Sequence, residues 1–447
     1  MNKINIKFLI LILLSTILPD TVNSTDFINH STNHIHLDGS SLSMLWLLPF
    51  IGILLSIALC PLVIPNFWHH NYGRISLFWS CIFFVSFVFS FGVETTIFYA
   101  VEVYLKEFLP FIVLLLALFT VSGGVFVESN FKSTPLVNVG ILTLGTVLAS
   151  WMGTTGASML LIRPLIRSNQ HRKHKVHLIV FFIFLVSNIG GSLTPLGDPP
   201  LFLGFLNGID FFWTTKNMLY PMILASVPLL IIFFIFDIYF MRKENIVVND
   251  HQKIRIKLHG KINLLLIVFI VIVVVISGIW KSDSSNIKHW AFSIYDTCIL
   301  TYGVLFQITS LLLITLVSLK VTSNDLRLKN SFTWEPIKEV TKLFATIFIT
   351  IIPVIEMLKS GLNGPMSSLI KLLEDPNGEN LNYMYFWLTG ILSSFLDNAP
   401  TYLVFFNTAG GNPTELMTTF STTLLAISLG AVFMGANTYI GNAPNFM

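Results

Sequence analysis

Charge is scarce in this chain: Asp, Glu, Lys and Arg make up 11% of 447 residues, while 54% are hydrophobic. A soluble globule of that size needs far more polar surface, so a water-soluble fold is excluded and an integral membrane protein is implied. Cysteine is scarcer still. Cys60, Cys81 and Cys298 all lie inside apolar runs, which argues against a disulfide framework and leaves ordinary packing. A net charge of +3 is too small to suggest nucleic acid, and no such partner is expected. Also missing are HExxH, GxSxG and a P-loop, and neither His69 with His70 nor His171 with His174 has a third ligand at suitable spacing. No enzymatic activity, cofactor or resident metal is therefore expected.

What the chain does have is long apolar runs. Lys3 and Lys7 precede an apolar core from Phe8 to Leu18 and a polar stretch from Asp20 to Ser43. This resembles a secretory signal peptide over 1–24 followed by a periplasmic segment over 25–43, with an uncleaved anchor as the alternative. Runs long enough for a bilayer of about 30 Å occur at 44–64, 75–93, 108–127, 177–205, 218–240, 262–280, 297–319, 341–358 and 418–446. Two further apolar segments, 134–165 and 385–410, are interrupted midway by Gly153-Thr154-Thr155-Gly156 and by Asp397-Asn398-Ala399-Pro400. Small and polar residues there fit re-entrant hairpins whose tips stop inside the membrane.

Letting each hairpin return to its own side sorts the basic residues. Arg163, Arg167, Arg172, Lys173 and Lys175 then share one side with the cations of 241–261 and with Lys320, Arg327, Lys329, Lys338 and Lys342. By the positive-inside rule that side is cytoplasmic, and reading either hairpin as a single span mixes the charges. The expected fold is an all-α polytopic membrane protein with two inverted-topology repeats, each with a re-entrant hairpin and a broken transmembrane helix. The first repeat would span 44–240 and the second 262–447, joined by a cytoplasmic linker over 241–261.

The repeats show in the motifs. GGSLTPLGDPP at 190–200 and GANTYIGNAP at 435–444 align so that Thr194, Gly197, Asp198 and Pro200 recur 244 positions later as Thr438, Gly441, Asn442 and Pro444. SWMGTTGAS at 150–158 is echoed 243 positions on by SSFLDNAPT at 393–401, which pairs Thr154 with Asp397. Three prolines and three glycines within 187–200 forbid an unbroken helix. In hydrocarbon, unwound backbone is tolerated only where it lines a protein-enclosed, wet or ion-filled site. Freed carbonyls suit a hard cation and exposed half-helix N-termini suit an anion.

Side chains favour the cation. Asp198 and Asp397 would project into one embedded site and repel an anionic substrate, whereas a proton or a sodium ion relieves the cost of their burial. Thr154, Thr155, Asn188, Thr194, Asn398, Asn437, Thr438 and Asn442 would add neutral oxygens. Asp397 can also serve as N-cap of the second half-helix of its hairpin, a role compatible with coordination. Of the other intramembrane charges, Asp237 is expected to pair with Arg242 near a helix end. Glu356 is either a second proton carrier or a structural acid, and Arg163 closes the first hairpin.

SNIGGSLTPLGDPP is similar to the unwound-helix motif of the ion transporter superfamily, and SFLDNAPT to its second hairpin tip, with the likeness spanning roughly residues 40–447. That group includes citrate and dicarboxylate carriers, arsenite-type permeases and sodium:proton antiporters of the D type. The resemblance implies a scaffold region and a moving transport region in each protomer of a homodimer, and an elevator motion. Dicarboxylate carriers have Ser-Asn-Thr at both tips and a small hydroxyl residue where Asp198 stands; this chain has Thr154-Thr155-Gly156 and Asp397-Asn398-Ala399.

The expected function is ion-coupled secondary active transport across the bacterial inner membrane, with sodium/proton antiport as the first reading. Citrate or dicarboxylate transport coupled to a cation, or arsenite-type anion transport, are the alternatives. The expected partners are the lipid bilayer, a small inorganic ion or carboxylate, and a second copy of the chain. Because the first half continues roughly forty residues past Pro200 while the second stops at Met447, the second repeat is expected to be C-terminally truncated.

Overall fold

A backbone surrounded by hydrocarbon must satisfy its own hydrogen bonds, so apolar runs of this length become helices. The computed structural model describes residues 37–129, 133–244, 256–282, 291–295, 298–439 and 441–446. The expected signal segment and most of the expected linker lie outside these. Among the described residues, seven helices are long and apolar enough to cross a membrane, or eight if one bent pair counts as a span. The chain is an all-α multi-pass membrane protein.

Helices α1 (Leu47–Val63), α2 (Pro65–Val103) and α3 (Leu109–Ser122) open the fold. Gly92 breaks α2 at φ 83°, and a π-helical turn over Tyr104–Phe108 leads into α3. The sequence suggested spans at 75–93 and 108–127; the first belongs to a longer broken helix. Strand β1 (Phe126–Ser129) follows, then α4 (Pro135–Met152) and α5 (Thr154–Ser168). Thr134 caps α4 by accepting from the Val137 N–H, with Pro135 in the first turn. Next come α6 (Val176–Leu185), α7 (Pro199–Leu206) and α8 (Phe211–Lys243).

Strand β2 (Ile256–His259) pairs antiparallel with β1 and leads to α9 (Lys261–Ser282). Strands β3 (Ala291–Tyr295) and β4 (Cys298–Thr301) form a hairpin before α10 (Tyr302–Val321), so the span placed at 297–319 starts later than expected. A short α11 (Asn324–Lys329) precedes α12 (Glu335–Thr350) and α13 (Ile352–Lys359), which bend by 40° at a break with Pro353 in the first turn of α13. The chain ends with α14 (Asn382–Phe395), α15 (Asn398–Thr408) and α16 (Ser421–Met434).

Two sets of helices emerge. One packs α1 on α2, α2 on α12, and α3 on α9 and α10; the other packs α4 on α5, α6 on α8, α15 on α7, and α14 on α16. Phe111 of α3 joins them: its ring lies 4.9 Å from Phe344 of α12 and 6.3 Å from Phe202 of α7. Without a strong hydrophobic drive between helices in lipid, close approach and polar contacts do the joining. Gly390 of α14 lies directly against Met434, and Gly430 of α16 against the Phe386 carbonyl.

Each set has a buried polar tie. Arg327 donates to the carbonyls of Thr120 (2.9 Å) and Ser318 (3.2 Å), at the negative ends of α3 and α10. Burial pulls its guanidinium down to about 10, leaving it charged at neutral pH. In the other set, Asp237 is fully buried and pairs with Arg172 (2.5 Å) and His177 (2.8 Å), and accepts from Asn138 (2.8 Å). The expected partner Arg242 is exposed. Five residues along a helix is about 140° around it, so Asp237 and Arg242 look in opposite directions. Glu356 pairs with Lys359 at 2.9 Å.

Candidate functional site

Asp198 is where the two halves of the chain meet. It precedes α7 in extended backbone (φ −142°, ψ 141°), the position of an N-cap, yet its side chain caps nothing in that helix. The sequence explains why. Pro200 removes the N–H at the second helical position that a cap would address, and the Leu201 N–H bonds the Asp198 carbonyl at 3.1 Å, so the carboxylate turns elsewhere. It receives three side-chain donors instead: Asn442 Nδ2 at 2.8 Å and Thr154 Oγ1 at 3.3 Å on Oδ1, and Asn398 Nδ2 at 2.7 Å on Oδ2. Thr154 begins α5 and Asn398 begins α15, so the first residues of two helices reach the same carboxylate through their side chains. Asp198 is 2% exposed and has no cationic partner among the described residues.

The remaining predicted residues divide by place. Asn188 is one bond removed: its Oδ1 accepts from Asn442 Nδ2 (3.2 Å), and its Nδ2 donates to Asn445 Oδ1 (2.8 Å) and the Ile183 carbonyl (2.9 Å). Asp397 caps α15 by accepting from the Ala399 N–H at 3.0 Å, so the capping role is present. It also lines a cavity of about 70 Å³ together with Thr154, Thr155, Asp198 and Asn442. Thr194, Asn437 and Thr438 stand elsewhere. They hold the hairpins to the unwound segments.

Those contacts come in matched pairs. Ser150 Oγ donates to the Gly190 carbonyl (2.5 Å), and Ser394 Oγ to the Met434 carbonyl (2.9 Å), each across 40 residues. Thr194 Oγ1 donates to the Ser150 carbonyl, and Thr438 Oγ1 to the Ser394 carbonyl, each across 44 residues. Asn437 Nδ2 adds a bond to Ser394 Oγ at 2.9 Å. Glycines make room for the turns: a Cβ on Gly197 would lie 2.0 Å from the Gly191 carbonyl oxygen, and one on Gly441 2.5 Å from that of Gly435. All these pairs fall at one offset, 244, the separation of Asp198 from Asn442.

The hairpin register is therefore one residue off the expected 243. Ser150 corresponds to Ser394, Gly153 to Asp397, and Thr154 to Asn398. Thr154 and Asn398 are thus equivalent, and both donate to Asp198. Gly153 takes φ 79° at its tip, where any other residue is strained, whereas Asp397 reaches its turn with φ −58°. The doubled serine at 393–394 hid the slip, because either serine aligns with Ser150.

The chain matches the family model CitMHS_2, described as "Putative citrate transport", over residues 39–447. It belongs to this family. The protein is thus a multi-pass membrane protein of a citrate/ion transporter family, in line with the resemblance in its motifs. No curated protein matches the chain.

Two features of this CitMHS_2 member escaped the sequence reading. Asn445 bridges Asn188 to the second unwound segment by donating to the carbonyls of Gly435 (2.8 Å) and Thr438 (2.9 Å); its place three residues past Asn442 was the available signal. Asn398 Oδ1 is buried with no hydrogen-bond partner. An orphaned buried acceptor beside a carboxylate is costly unless something positive completes it, and only three-dimensional placement reveals it.

Proposed function

We propose that the protein is an ion-coupled secondary transporter that exchanges sodium for protons by alternating access at Asp198. In this reading the chain consists of two inverted-topology repeats, with α4–α5 and α14–α15 as re-entrant hairpins and the segments around 186–198 and 435–442 as the helix breaks. The spread of basic residues supports an inner-membrane orientation with the 241–261 linker in the cytoplasm. The transported species are substrates held by the chain's own oxygens: the Asp198 carboxylate, Asn398 Oδ1 and the cavity-facing Asp397.

One observation carries the preference for a cation. The side chains of Thr154 and Asn398, which open α5 and α15 and could meet an anionic substrate, already donate to the protein's own carboxylate. The adjoining cavity of about 70 Å³ has no Lys, Arg or His in its lining among the described residues. That is room for a few waters or a partly hydrated ion.

Citrate carried with a coupling cation is the second reading, favoured by the family match and by a neighbouring chamber of about 430 Å³ that also reaches Asp397. Purified protein in vesicles separates the two. Sodium added outside should drive protons out of the lumen without citrate, and labelled citrate should not accumulate; citrate accumulation with no sodium-driven proton movement would favour the second.

A further inference from the structure

The site has a charged approach that the exchange reading does not use. The central cavity shares Asp397 and Phe344 with the chamber of about 430 Å³, and that chamber shares His69 and Glu339 with a third of about 520 Å³. The third includes exposed Ser331, Thr333 and Glu335 in its lining. The three cavities thus adjoin in series from the exposed Ser331 and Thr333 past Glu339 to Asp397. Glu339 is half-buried on α12, and its Oε1 accepts from the indole N–H of Trp68 at 3.1 Å. Trp68 is itself 2% exposed, so this bond fixes the carboxylate in the chamber wall.

The charges around Glu339 form no ion pair with it. Glu335 is paired with Lys338 at 2.8 Å. The Lys342 ammonium lies 4.9 Å above the Tyr72 ring, and Arg163, which lines the third chamber with Glu339, donates to Asn330 Oδ1 at 2.7 Å; both keep their charge but neither pairs with Glu339. His69 lines the same two chambers, while Glu339 has no ion pair among the described residues. A carboxylate without an ion pair in a largely apolar wall attracts cations to the chamber it lines.

We infer that Glu339 is an entry carboxylate that sets the protein's affinity for its cation by handing it to Asp397, without belonging to the central site. This rests on the cation-exchange reading. Glu339→Gln removes the charge and keeps the oxygen that accepts from Trp68, so folding should survive. In sodium-driven proton exchange by reconstituted protein, E339Q should raise the KM for sodium roughly three- to tenfold and leave kcat within about twofold. The dependence of KM on ionic strength should weaken. E339D, which keeps the charge, should stay within about twofold of wild-type KM. Trp68→Phe keeps the charge but frees the side chain, and should give an intermediate KM.

A sodium KM that is unchanged or lower in E339Q, with wild-type exchange intact, overturns the inference alone. So does a fall in kcat at constant KM. Absence of sodium-driven proton movement in the unmodified protein overturns the exchange reading and this inference with it.

Discussion

At the residue scale, the double proline after Asp198 decides what the carboxylate does. Replacing Pro200 by Ala supplies an N–H at the second position of α7, to which Asp198 can turn as an ordinary cap. A cap is worth about 1 kcal/mol, so P200A should weaken sodium binding about fivefold and raise thermal stability slightly. Isothermal titration or KM for sodium reads the first, and a melting curve the second. Unchanged affinity would mean that the carboxylate's direction is set elsewhere. Asp198, Thr154, Asn398 and Asn442 were all legible in the sequence, because helix breakers, amides and one acid recur together inside apolar runs. Their mutual distances were not, since these four residues come from four separate segments that only packing brings together.

At the element scale, the hairpins are held to the unwound segments by the paired serine and threonine bonds, and the turns rely on glycine pairs in contact. Gly441→Ala would force a Cβ to within 2.5 Å of the Gly435 carbonyl oxygen. Overpacking of this kind costs about 1–3 kcal/mol, and G441A should lower the melting temperature by several degrees and reduce exchange.

The Asp237 tie makes a sharper demand, because Asp237→Asn leaves Arg172 buried opposite a neutral partner. A loss of about 3–5 kcal/mol is expected, read as early unfolding in detergent. This tie was misread from the sequence, where the nearest cation in the chain looked like the natural partner. A helix turns that cation to the other face.

The end of α8 gives a pH prediction. Burial pushes the Glu244 carboxyl up, but the N–H groups of His174 (2.6 Å) and Lys173 (3.1 Å), with the charge of Arg172, outweigh it and hold the carboxyl below its ordinary 4.5. A carboxyl lowered by folding stabilises the fold above its unfolded pKa, and that contribution is lost as pH falls through the folded value. Hydrogen exchange at the Lys173 and His174 amides, corrected for intrinsic rates, should therefore show protection at neutral pH that disappears only below the ordinary carboxylate range. In E244Q, protection should vary little with pH.

At the scale of the whole molecule, the membrane character was legible from composition alone, and the helix breaks from proline and glycine. The bend between α12 and α13 and the length of α2 were not, because apolar runs mark where helices lie and say little about where they bend. The chain of cavities from Thr333 past Glu339 to Asp397 is likewise a product of packing between the two helix sets. It predicts one-sided access. With Cys60, Cys81 and Cys298 replaced, a cysteine at Ala443 should react with a membrane-impermeant maleimide from the side bearing Thr333 and Glu335, and sodium should slow the reaction. Labelling from the opposite side alone would place the opening wrongly.

Sodium/proton exchange in this protein depends, in the reading proposed above, on Asp198 as the exchanging group. The direct measurement is sodium-driven proton efflux from vesicles holding wild-type protein, D198N or D397N at matched protein content. Wild-type protein should alkalinise the lumen when sodium is added outside, D198N should abolish the response, and D397N should reduce it strongly. Exchange by both variants at the wild-type rate would contradict the account, as would a wild-type protein that ignores sodium and accumulates citrate.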